Sequence, residues 1–339
     1  MRWSPPFCSE NLYPFKFDTG FLRFGYLGVN FFFIISGFVI AYTLKETSGF
    51  FQFWKKRMIR LVPAMFLCSL ITLVTLNFLD DEGLFPQGHS TTNFLGSLSF
   101  LPPKILNAIL KPIDTSVFYT SGSYWSLWPE IQFYLLISIL YFTRPKSYVP
   151  LFSVTGTLLF VLHDFSTNLD QGTATTVQGS RYIGEFLIEI QGILNLGRFI
   201  LWFMFGVHVF ELFSNRKNTS SMLWLAAIGL LLIYDGDSWP VKFVTIVMML
   251  LFISFLYFPM LLKPFKNPFL TYIGLISYSI YLIHESIGVL LIHKYGGLWG
   301  RYAALFPFFV MAIIIILSAG IYKYFEKPLG SWLRRNFVK

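Results

Sequence analysis

The stretch GYLGVNFFFIISGFVI, Gly25–Ile40, carries no charged residue and stays apolar to about residue 44, where Lys45 interrupts it. A helix rising 1.5 Å per residue crosses the hydrocarbon core of a bilayer in about 20 residues, and this run has that length. Gly25, Gly28 and Gly37, with Ser36, permit close packing against another helix. Asn30 adds a polar amide early in the span. Eight further apolar runs follow, at 61–79, 125–142, 148–163, 194–213, 222–234, 241–262, 269–292 and 303–325, separated by Pro, Gly and charged clusters. Those at 148–163 and 222–234 are short for a span. The expected fold class is all-α, a polytopic membrane helix bundle of about nine transmembrane helices.

Composition agrees. Of 339 residues, 55% are hydrophobic, 20% aromatic and 13% charged, against about a quarter charged in soluble domains. The net charge of +9 reads as membrane topology rather than nucleic-acid binding, because the basic residues gather in short loops. Lys45, Lys55, Lys56, Arg57 and Arg60 follow the first run, and Asp80, Asp81 and Glu82 the second. Arg144 and Lys146 follow the third, Asp164 and Asp170 the fourth, Arg216 and Lys217 the fifth, and Asp235 and Asp237 the sixth. Lys263 and Lys266 follow the seventh. The alternation predicts an external tail over 1–26, a membrane domain over 27–327 and a cytoplasmic basic tail over 328–339. Residues 1–20 lack the apolar core of a signal peptide. Cys8 and Cys68 make neither a disulfide framework nor a metal set.

Four stretches hold the chemistry. In SYWSLWPEIQFYLL, Ser123–Leu136, Glu130 lies inside an otherwise apolar run. Such a carboxylate faces a bundle interior or a wet cavity; the alternative is an interfacial acid capping the helix start, for which Ser126 and Pro129 are suited. In FFQFWKKRMIRLVP, Phe50–Pro63, Arg57 and Arg60 are three apart and share a helix face. Two guanidinium forks suit a multiply charged phosphate ligand; taken alone, anchoring to anionic lipid heads is the simpler explanation. In LISYSIYLIHESIG, Leu275–Gly288, Ser277, Tyr281, His284 and Gly288 recur at helical spacing, with Glu285 alongside. His284 is an acid–base candidate, or a buried histidine satisfied by a carbonyl. The fourth is the opening stretch itself, with Asn30 and Ser36.

Together, in chain order, with GVNFFFIISGFVI at 28–40 first, FWKKRMIRLVP at 53–63 second and YWSLWPEIQFYLL at 124–136 third, these stretches resemble the membrane-bound acyltransferase family 3, bacterial O-acyltransferases of exported glycans. Arg57 and Arg60 match its RxxR pair. Trp125, Ser126 and Glu130 match its WSL-x-x-E pattern. ISYSIYLIHE at 276–285 and YFEKPL at 324–329 complete the series. The resemblance implies a ten-helix fold and acyl-CoA, acetyl-CoA above all, read on the cytoplasmic side, with the acyl group passed to a carbohydrate acceptor outside. It implies that Arg57 and Arg60 hold CoA phosphates, that Glu130 works in catalysis, and that Trp125, Ser126, Ser36 and Tyr281 line the substrate path. No metal and no nucleic acid are implied, and the membrane is the bacterial inner membrane. In the family a first helix carrying an Arg and the general-base His precedes the G-V-x-x-F-F stretch, and the position held by Asn30 is often acidic. The expectation is an in-frame apolar helix with Arg and His upstream of Met1, with His284 as the substitute if it is lacking. Two other readings stand beside the enzyme: an inactive homologue serving as a binding or scaffold subunit, and a proton-coupled transporter of a glycan or lipid-linked small molecule.

Overall fold

The computed structural model describes residues 22–113, 115–172, 189–190 and 192–337. The expected external tail lies outside the described residues up to residue 21, as does Cys8. Among the described residues every regular element is a helix. The helices are α1 (Gly28–Lys45), α2 (Phe50–Leu79), α3 (Thr91–Ser97), α4 (Pro103–Leu110), α5 (Leu127–Thr143), α6 (Tyr148–Gly172), α7 (Leu196–Ser214), α8 (Thr219–Asp235), α9 (Trp239–Tyr257), α10 (Pro268–Ile283), α11 (Ser286–Tyr295), α12 (Phe306–Ile321) and α13 (Lys327–Phe337). The chain is an all-α polytopic membrane helix bundle. Among the described residues six helical stretches are long and apolar enough to cross a membrane: 24–45, 50–79, 148–168, 196–214, 239–257 and 286–337; helices 219–235 and 268–283 are apolar but shorter.

Each of the nine apolar runs is helical, with three differences. The second begins at Phe50 rather than 61, so Arg57, Arg60 and Pro63 lie inside one thirty-residue helix, about 45 Å long. Long basic side chains cover apolar surface while keeping their charge wet, so the KKR cluster does not break the helix. The fourth run continues to Gly172. The eighth divides into α10 and α11, with His284 and Glu285 between them.

The described residues form two compact units. The first comprises the described parts of Phe21–Phe53 and Trp128–Lys266. Its centre is α7, most of whose residues are buried. Gly37 of α1 meets Gly206 of α7: a Cβ on Gly206 would overlap the Ile34 carbonyl, and one on Gly37 the Phe203 carbonyl. Small residues bring the two backbones into contact, as membrane helices require in the absence of a hydrophobic drive between them. Phe203 stacks on Phe133 of α5 with ring centroids 4.2 Å apart, and lies 4.6 Å from Phe33 of α1. His208 is fully buried. Its Nε2 lies 2.8 Å from Ser153 Oγ on α6 and its Nδ1 3.3 Å from Ser221 Oγ on α8, so this imidazole ties three helices together.

The second unit comprises the described parts of Trp54–Leu127 and Asn267–Lys339. Asn267 caps α10 by accepting from the Phe269 amide at 2.8 Å, and Pro268 occupies the first turn. The segment between α2 and α5 is held by side chains. Asp80 accepts from the Leu84 and Phe85 amides at 2.8 and 2.9 Å and from His89 Nε2 at 2.9 Å. Burial pushes the Asp80 carboxyl up, and those amides with the His89 ring more than offset it, leaving it below the ordinary carboxylate range. Asn107 brackets Val117, its Oδ1 accepting from the Val117 amide at 2.6 Å and its Nδ2 donating to the carbonyl at 3.0 Å. Asn93 Oδ1 accepts from the Phe118 amide, and Ser97 Oγ from the Thr120 amide. Side chains thus supply partners for the irregular backbone at 117–120. Lys294 joins the end of α11 to the end of α2, bonding the Leu79 carbonyl and Asp81.

Candidate active site

Glu130 belongs to the first unit. Pro129 and Glu130 sit in the first turn of α5, where proline and an acid are both favoured. The side chain turns inward and is 4% exposed. Its Oε1 accepts from Ser36 Oγ at 3.0 Å and from the Tyr134 hydroxyl one turn on. Of the two sequence readings, the geometry matches the interior carboxylate rather than an interfacial cap. Ser36 sits beside Gly37, so the α1–α7 contact presents its hydroxyl to Glu130. Asn30 lies half-buried in the first turn of α1. Sequence reasoning missed Trp128 and Gln132, whose side-chain nitrogens both donate to the Ile193 carbonyl, at 2.6 and 2.9 Å. They fix the face of α5 that flanks Glu130, and an amide four residues after an indole in an apolar run was the signal.

Arg57 and Arg60 belong to the second unit. The pair shares a stretch of α2, yet Arg57 is 6% exposed and Arg60 is open to the surroundings. Glu326 feels the charge of Arg60 and accepts a short hydrogen bond from Ser279 of α10. Glu326 ends a wide helical turn, Tyr322–Glu326, between α12 and α13; such widened turns recur at functional sites. The YFEKPL stretch therefore brings a carboxylate within the field of Arg60.

The same unit holds Trp125, Ser126, Tyr281 and His284. Trp125 is half-buried, in the short helical turn Gly122–Ser126 that leads into α5. Ser126 Oγ and the Tyr281 hydroxyl lie 2.5 Å apart, and Tyr281 donates to the Ser123 carbonyl at 2.7 Å. Two residues singled out more than 150 positions apart are thus in contact. His284 is exposed, and its Nδ1 faces the carbonyl of Tyr281 at 2.7 Å. Ser277 is exposed as well, donating to the Gly274 carbonyl. The polar groups that turn inward include Tyr278, Ser279, Glu285 and Ser286. Ser121, Ser123 and Glu285 were not singled out for a site; SGS immediately before YWS was the available sign.

Comparison with known proteins bears on what this arrangement is. The model of the acyltransferase domain family, acyltransferase family 3, matches residues 8–323. The chain belongs to this family. Over 366 aligned positions it is 25% identical to a Staphylococcus aureus (strain COL) protein named "Putative O-acetyltransferase", covering 93% of this chain and 54% of that protein. The counterpart in strain N315 shows the same figures. The chain spans about half the length of these curated relatives. Nodulation protein 10 of Rhizobium leguminosarum bv. viciae is 32% identical over 131 residues, 35% of this chain and 34% of that protein. No solved structure matches. The family match takes in all four of the stretches singled out in the sequence.

Proposed function

We propose that the protein is an integral membrane O-acyltransferase that moves an acyl group, acetyl by expectation, from acyl-CoA on the cytoplasmic side to an exported or cell-surface carbohydrate. Glu130 is the observation that carries this reading: a motif carboxylate held off lipid, inside helices, by two hydroxyl donors. A carboxylate in such a place orients a hydroxyl or moves a proton. In the reaction an acceptor hydroxyl adds to the thioester carbonyl, its proton passes to a base, the carbon–sulfur bond breaks, and the thiolate leaves as the CoA thiol once protonated. Arg57 and Arg60 hold the CoA phosphates. Ser36, Trp125, Ser126 and Tyr281 contact the substrates, and Glu130, Asn30 and His284 serve the proton and the acceptor. In this reading the membrane is a bacterial inner membrane, and the charge rule favours a cytoplasmic C-terminus. The partners are lipid and carbohydrate, with no nucleic acid. The broken span α10–α11 favours a second reading, a proton-coupled carrier of a glycan, because transporters place binding groups at such breaks.

Glu130→Gln tests the proposal. The variant is expected to remain in the membrane and elute as the wild type while losing acyl transfer. Retained transfer removes Glu130 from the site.

A further inference from the structure

Between α10 and α11 the chain places a second carboxylate, Glu285, which none of the roles above uses. Resting on the acyltransferase reading, we infer that Glu285 is a binding carboxylate for the acceptor, and that the acceptor carries neutral or amino-bearing sugar hydroxyls rather than acidic groups.

The break lies toward the end of its span that the charge rule places outside. Irregular backbone at membrane depth persists where it is buried in protein or lines a wet cavity, and an ionisable side chain there marks a functional group by default. The half-buried carboxylate is met by a prepared surface. Ser286 Oγ donates to Ser121 Oγ at 2.8 Å, which orients the Ser121 proton toward Glu285 Oε2 at 3.4 Å. Ser123 Oγ lies 3.2 Å from Ser121 Oγ, so the three serines form one chain of hydroxyls beside the carboxylate. Between these serines, Gly122 leaves room: a Cβ there would lie 2.5 Å from Glu285 Oε1. The backbone carrying Ser121–Ser123 follows directly on the 117–120 segment that Asn93, Ser97 and Asn107 pin, so the cradle is fixed before any ligand arrives.

Among the described residues the side-chain hydrogen bond to the carboxylate comes from Ser121, a neutral hydroxyl, and no lysine or arginine forms an ion pair with Glu285. A carboxylate held by a neutral donor suits a hydroxyl or an ammonium. A second carboxylate or a phosphate brought beside it would be repelled. That asymmetry gives the acceptor its class.

The experiment measures binding to the full-length protein in detergent. The probes are chitotetraose (neutral), its fully de-N-acetylated form (amino-bearing), tetragalacturonate (acidic) and acetyl-CoA. Wild type is expected to bind one or both of the first two and to bind tetragalacturonate at least tenfold more weakly. Glu285→Gln and Glu285→Ala are expected to lose tenfold or more in sugar affinity with acetyl-CoA affinity unchanged, and Ser121→Ala to lose a few-fold. Unchanged sugar affinity in both Glu285 variants, preference for the acidic probe, or no sugar binding by wild type overturns the inference. So does a parallel loss of sugar and acetyl-CoA binding in Glu285→Gln, which makes the residue a structural pin. Sugar binding that needs Glu285 in a protein that neither binds nor uses acetyl-CoA upholds this site and defeats the acyltransferase reading instead.

Discussion

Gly206→Ala tests how the Glu130 site is held. The ideal Cβ would lie 2.9 Å from the Phe38 amide nitrogen, 3.0 Å from the Ile34 carbonyl carbon, and closer still to the Ile34 oxygen. Ordinary contact begins at 3.4 Å. The nitrogen alone therefore demands a retreat of 3.4 − 2.9 = 0.5 Å, and the oxygen demands more. All three atoms are backbone and cannot swing aside. Ser36 rides on the displaced turn of α1, and its bond to Glu130 is 3.0 Å, so the shift carries it to about 3.5 Å or beyond, where a hydrogen bond is lost. Overpacking of this kind costs about 1–3 kcal/mol, and loss of a bond to a charged group about 1.5–3 kcal/mol. The assay is unfolding in a detergent–SDS titration, with acyl transfer measured on the same preparations. Gly28→Ala is the control, since nothing lies within 4 Å of its Cβ. Gly206→Ala is expected to unfold at lower SDS and transfer more slowly, and Gly28→Ala to match wild type. Equal stability and activity in the two variants refutes the claim that the α1–α7 contact sets the site.

Other perturbations follow from the same geometry. Tyr134→Phe removes a donor from a buried carboxylate and is expected to cost about 1.5–3 kcal/mol in the same titration; the Ser36→Ala, Tyr134→Phe pair should be non-additive, and simple additivity counts against a shared Glu130 network. Arg60 is exposed and Arg57 buried, so Arg60→Ala should weaken acetyl-CoA binding more at low salt than at high salt, while the loss in Arg57→Ala stays nearly salt-independent; identical salt profiles contradict that division. Asp80 has a lowered folded-state value, so the stability it contributes is complete above the unfolded value of about 3.9 and disappears as pH falls through the folded one. Asp80→Asn should therefore flatten the acid limb of the stability profile, and an unchanged limb shows that the loop clamp contributes nothing there.

The spans were legible because a bilayer leaves a chain little choice: an uncharged run of about 20 residues satisfies its own backbone as a helix. The break at His284–Glu285 was not legible, because the apolar run continues through it and the bonds that Glu285 and Ser286 make go to Ser121, far away in the sequence. Spacing placed Arg57 and Arg60 on one helix face, but spacing does not say which neighbour covers which arginine. Ser126 and Tyr281 were each visible as polar groups in apolar stretches, whereas their contact is tertiary. His208 looked unremarkable in the sequence, since nothing local shows that serines on two other helices meet its two nitrogens.

The central claim is transfer itself. Inverted membrane vesicles containing the full chain, given acetyl-CoA labelled in the acetyl group, report it directly. The account predicts label in base-labile ester linkage on lumenal carbohydrate with wild type, and none with Glu130→Gln at equal protein. Labelled carbohydrate formed equally by the Glu130→Gln vesicles, or no transfer from acetyl-CoA by wild type to any carbohydrate present, contradicts it.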